Sequence, residues 1–90
     1  MAQPLLMRPD EIICVKEAAH RAGRDPKTIR DWCRTYGIGR QPAGGGPFQV
    51  SLPALEMLLV PDFEALELLR QGHRTAPEVL HYLNFLGLAA

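Results

Sequence analysis

The residues with the clearest chemistry are Lys27, Arg30 and Arg34, cations spaced three and four apart, with Thr28 and Asp31 beside them. At that spacing they share one face of a helix. Ammonium and guanidinium groups on such a face suit phosphate oxygens, and an arginine fork also matches the O6 and N7 edge of guanine. Over the same segment Ile29, Trp32, Cys33 and Tyr36 recur at the complementary spacing and form an apolar stripe. One face packs and the other presents charge, as a helix entering the major groove of DNA requires.

The flanking residues supply the rest of a helix-turn-helix over residues 15–36. Val15, Ala18, Ala19 and Ala22 recur at i, i+3, i+4 and i+7 and predict a first helix, with Lys16, Glu17, His20 and Arg21 on its outer side. Gly23 is suited to a left-handed helix end. Asp25 and Pro26 read as the N-cap and first position of the second helix, 26–36, which Gly37 closes. Ala19 is small where two helices cross, and Ile29 and Trp32 are expected to drop onto the first helix, Trp32 as the anchor. Lys16, Arg21 and Arg24 add cations near the motif. The competing reading is a helical hairpin whose basic stripe is only a solvated face.

The remaining chain reads in order. Residues 1–10 carry two prolines and no periodicity and predict a loose arm or extended lead-in. Residues 11–14 predict a short strand with Ile12 or Ile13 turned inward. Cys14 stands where an N-cap is needed, a thiol in place of a hydroxyl, with Glu17 three residues on. Residues 38–51, with Gly44, Gly45 and Gly46 at the tip, predict a β-hairpin wing carrying Arg40, its strands confined to an edge role by Pro42 and Pro47. The glycines lack a following Lys-Ser or Lys-Thr pair, which weakens a phosphate-cradling loop. Ser51 is expected to cap a helix over 52–59 with Leu52, Leu55, Leu58 and Leu59 inward. Asp62 is expected to cap the next, with Phe63, Leu66 and Leu69 on its apolar side. Thr75 and Glu78 form a capping-box pattern around Pro77, before a last helix with Val79, Tyr82, Leu83 and Leu86 as its stripe.

The fold class that follows is mainly α with a small β-hairpin wing, divided into a winged helix-turn-helix over 1–60 and a C-terminal helical hairpin over 61–90. The hairpin has more apolar surface than its own packing needs. It is either a cover over the small core or a surface for self-association or a partner, formed around Phe63, Leu66, Tyr82 and Phe85.

Ninety residues suit one small domain, and with 47% apolar residues disorder is not expected. No run is long enough to span a bilayer, and 5–7 is too short for a signal-peptide core, so a cytoplasmic protein is expected. Cys14 and Cys33 are too far apart for a CxxC unit, and each is expected to be a reduced, buried thiol. With His20, His73 and His81 they form no ligand pattern, so no metal or cofactor is expected. No catalytic set is evident, nor a small-molecule substrate. Formal charge is zero overall but unevenly placed. Residues 1–51 hold eight cations against five anions, +3, and residues 52–90 hold two against five, −3. The basic half contains the candidate recognition helix.

The run VKEAAHRAGRDPKTIRDWCRTYGI, the glycine-turned hairpin and SLPALEML together resemble the MerR-like winged helix-turn-helix of phage and integrative-element excisionases. AlpA-type regulators and the small terminase subunits of some phages share that plan. The resemblance covers residues 12–59. It implies that Ala18 and Ala19 pack inside the motif, that Lys27, Thr28, Arg30 and Arg34 approach the major groove, and that Arg40 approaches the backbone from the wing. Two departures stand out: Cys14 replaces the usual Ser or Thr, and the wing has few basic residues. The family implies an excisionase, or recombination directionality factor, that binds and bends double-stranded DNA beside an attachment site and steers an integrase toward excision. A small transcription regulator would use the same helix at promoters, and a packaging subunit would present it from a larger oligomer. Small size and the lack of an effector domain favour the first two. A protein-interaction module such as an antirepressor is the alternative of a different class.

Overall fold

Capping chemistry sets most element boundaries in the computed structural model, which describes residues 5–88. A 3-10 turn, Pro9–Glu11, leads into β1, Ile12–Cys14, and then α1, Val15–Ala22. The Cys14 Sγ accepts the Glu17 N–H at 3.4 Å, so the thiol does serve as a weak N-cap. Gly23 ends α1 at φ 64°, where a β-carbon would be strained. The second helix, α2, spans Pro26–Tyr36, and Asp25 Oδ1 accepts the Lys27 N–H at 2.8 Å. There follow β2, Gly39–Arg40; β3, Gln49–Ser51; α3, Leu52–Leu59; α4, Phe63–Arg70; and α5, Pro77–Phe85. Ser51 Oγ caps α3 and Asp62 Oδ1 caps α4. The cap expected at Thr75 does not form. Pro77 takes the first helical position, which makes Ala76 the N-cap, and no side chain caps α5.

The three strands form one antiparallel sheet in the order β1-β3-β2. Ile13 and Gly39 both face Val50, and Cys14 and Arg40 both face Gln49. The hairpin of 38–51 is therefore present, but β3 is the central strand rather than an edge. That position is open to it because Pro42 and Pro47 lie outside the paired residues and cost the ladder no donor. Gly39 is required by space. A β-carbon there would come within 2.6 Å of both Cys33 Sγ and the Gln49 carbonyl, so α2 and the sheet meet only because this side chain is absent.

One apolar cluster runs through both halves of the chain. Its centre is α3, whose Leu52, Pro53, Ala54, Leu55 and Met57 are all buried. Leu58 and Leu59, expected inward, are half-buried. From one side α1 contributes Ala18 and Ala19, and α2 contributes Ile29 and Cys33. From the other come Ala65, Leu66 and Leu69 of α4 and Val79, Tyr82 and Leu83 of α5. Among strand residues Ile13, not Ile12, points inward.

Several expectations are corrected here. Leu5 is buried, so the lead-in docks from that point instead of forming a loose arm; residues 1–4 lie outside the described residues. Trp32 is only half-buried, because Ile29 and Cys33 occupy the middle of the stripe and Trp32 and Tyr36 flank it. Cys14 is exposed rather than buried; both cysteines are free. Leu66 and Tyr82 are buried and cannot belong to a docking surface, whereas Phe63 and Phe85 are 53% and 75% exposed.

Polar contacts tie the hairpin to the rest. The Arg74 guanidinium meets the buried Glu11 carboxylate at 2.6 and 2.7 Å. Arg70 Nη2 donates to the Tyr36 carbonyl at the end of α2, at 2.7 Å. Within the hairpin, the Tyr82 hydroxyl donates to Asp62 Oδ2 at 2.9 Å. Burial and that bond push the Tyr82 pKa up to about 12, so the hydroxyl keeps its proton. Among the described residues no helix is long and apolar enough to cross a membrane.

Candidate nucleic-acid interface

The site is built on α2. Ile29 and Cys33 fix the helix to the core, which turns Lys27, Arg30, Asp31 and Arg34 outward. All four are exposed, and Thr28 is half-buried beside them. Among the described residues Lys27 and Arg30 have no ion-pair partner, so their charge is free for an anionic ligand. Arg34 is held differently. Its Nη1 lies 3.3 Å from Asp31 Oδ1, and its guanidinium sits over the Phe48 ring, 5.4 Å from the centroid. Burial pushes the Cys33 thiol up to about 11, against the opposing charge of Arg34, so it stays protonated as a packing group.

The loop between β2 and β3 stands next to this helix through that Arg34–Phe48 contact. Arg40 Nε donates to Gln49 Oε1 at 3.0 Å across the strand pair, and Gln41 Nε2 donates to the Gly46 carbonyl at 3.0 Å near the glycine tip. The other cations expected near the site divide. Lys16, Arg21 and Arg24 are all exposed, but Arg21 is turned toward α3, with Nη1 3.9 Å from Glu56 Oε1. The structure thus brings Arg34 and the loop together, with Lys27, Arg30 and Asp31 exposed on the same helix.

Phe48, Gln49 and Gln41 are the contributors that sequence reasoning did not single out. Phe48 carried one usable signal, an aromatic residue beside a strand in a loop otherwise made, after Gln41, of glycine, proline and alanine. Nothing in the local spacing marks its meeting with Arg34 fourteen positions earlier. Among the described residues no group of three His, Cys, Asp or Glu side chains is placed to hold a metal ion. Compared with protein-family models, curated proteins and solved structures, the chain gives no match.

Proposed function

We propose that the chain is a sequence-specific binder of double-stranded DNA, a winged helix-turn-helix of the MerR-like kind. In this reading α2 is the recognition helix and the β2–β3 loop is the wing. The observation that carries it is the division of α2, with Ile29 and Cys33 sealed in the core and Lys27, Arg30 and Arg34 exposed on the opposite face. A short turn through the left-handed Gly23 joins this helix to α1, as the motif needs. Arg40 approaches the backbone from the wing. Lys16 and Arg24 add to the positive field, and Arg21 adds less because Glu56 faces it.

Within that class, excisionase is the reading the sequence resemblance over 12–59 favours, with an integrase as protein partner. The protein would bind beside an attachment site, bend it and favour excision; regulation at a promoter would use the same surface. A mobility shift on random duplex DNA at two salt concentrations tests the class. Retarded DNA at low salt that is released at high salt is expected, and no shift at either removes the reading. Excision by the cognate integrase, with and without the protein, then separates the two jobs. A second reading, a protein-interaction module of the antirepressor type, is favoured by one observation, the exposed rings of Phe63 and Phe85.

A further inference from the structure

We propose that Phe48 and Asp31 are positioning residues that make Arg34 the reader of a single guanine, while Lys27 and Arg30 serve the phosphates. This rests on the DNA-binding reading above. An exposed arginine samples many rotamers and loses that freedom when it binds. Two contacts bias the exposed Arg34 side chain toward one arrangement before any ligand arrives. The Phe48 ring lies beneath the guanidinium at 5.4 Å, and Asp31 holds Nη1 at 3.3 Å. The platform is itself anchored, because Phe48 is half-buried against the core and leads directly into the central strand β3. Lys27 and Arg30 have no comparable support.

The hydrogen-bond inventory agrees with a base-reading role. Stacking on a ring uses the face of the guanidinium and none of its N–H groups. Asp31 takes one Nη1 proton, and among the described residues no acceptor takes Nε or Nη2. Those two donors form the side-on fork that fits guanine O6 and N7. The carboxylate also decides against a phosphate partner. A phosphate brings a full negative charge beside Asp31 and is repelled more strongly than the partial charges on the O6 and N7 acceptors of a neutral base edge. Asp31 itself has the acceptor character that suits the N4 amino group of a cytosine in a neighbouring pair. The division of labour is therefore Arg34 for identity and Lys27 with Arg30 for affinity.

The test starts from a site selected out of random duplexes, with each base pair then changed in turn and binding followed by fluorescence anisotropy. Wild type, Arg34→Ala, Phe48→Leu, Phe48→Tyr and Asp31→Asn are compared, with melting curves for each. Arg34→Ala is expected to lose discrimination at one G·C pair, by about five- to 150-fold, the range of a good bidentate contact. Phe48→Leu is expected to lose discrimination at that same pair and no other, and Phe48→Tyr, which keeps the ring, to retain it. A folded Phe48→Leu that discriminates like wild type overturns the proposal. Should Phe48→Leu fail to fold, Asp31→Asn decides: relaxed choice at that pair supports the proposal and unchanged choice overturns it. If wild type binds no duplex at any salt, the DNA-binding reading itself fails and this inference falls with it.

Discussion

Arg30 and Arg34 stand one turn apart on the exposed face of α2, and directly behind them Ile29 and Cys33 are sealed. In the proposed function, contact with DNA and contact with the core fall to different residues and can be separated by mutation. Arg30→Ala and Arg34→Ala are each expected to weaken binding to a selected site while leaving the circular dichroism spectrum unchanged. Ile29→Ala is expected to cost about 2–5 kcal/mol in urea denaturation, as for other fully buried aliphatics. Trp32→Ala should cost about 2 kcal/mol, half the figure for a fully buried aromatic, because the ring is only half covered. Both faces of α2 were legible from spacing, since a 3.6-residue period separates them. The centre of the apolar stripe was not. Size points to Trp32 as the anchor, but the rotation of α2 against α1 is set by Ala18, Ala19 and the bare Gly39, and it favours the smaller Ile29 and Cys33.

At the level of elements, the caps were readable because each depends on residues a few positions apart, as at Cys14, Asp25, Ser51 and Asp62. The misread cap at Thr75 shows the limit: the pattern fits, but Pro77 claims the first helical position and displaces the cap by one. The Glu11–Arg74 pair was beyond reach, since its members are 63 positions apart and meet only when the α4–α5 turn folds back onto the Pro9–Glu11 turn. Burial alone would raise the Glu11 pKa. The Arg74 hydrogen bonds, the Arg8 N–H and the two guanidinium charges outweigh burial and hold it below the ordinary carboxylate range. A depressed folded pKa contributes stability that is present above the unfolded value, about 4.3 for a glutamate, and is lost as pH falls through the folded value. Glu11→Gln is therefore expected to flatten the acid limb of the stability curve below about pH 4, measured by urea midpoints across pH. Arg74→Ala should cost about 3 kcal/mol at neutral pH, the low end for a broken buried pair, because Arg74 keeps partial access to water. A neutral-pH midpoint equal to wild type would mean the pair adds nothing.

Across the whole molecule, the question left open by periodicity, cover or docking surface, divides within the C-terminal hairpin. Leu66 and Tyr82 cover the core. The Tyr82–Asp62 bond brings the start of α4 to the last turn of α5, so the exposed Phe63 and Phe85 lie at one end of the hairpin. Leu6, 86% exposed, lies beside Arg74 at the other end. Removing residues 62–90 would strip Ala65, Leu69, Val79 and Leu83 from the shared cluster, so that truncation is expected to be unfolded or molten by near-UV circular dichroism. Head-to-tail self-association on DNA is better probed by Phe85→Ser, which leaves the core intact. With one binding site against three in tandem, wild type is expected to gain affinity per site and Phe85→Ser to lose that gain. Equal affinity per site for wild type would show that copies of the chain do not associate on DNA.

The most direct test of the central claim, that the cationic face of α2 binds DNA, is the salt dependence of affinity for a selected duplex. Lys27, Arg30, Arg40 and one flanking cation can neutralise about four phosphates, which predicts a slope of log K against log salt near −4. Arg30→Ala is expected to make that slope shallower by about one, with affinity reduced on every sequence alike. A wild-type slope near zero, or an Arg30→Ala slope equal to that of wild type, would contradict the account.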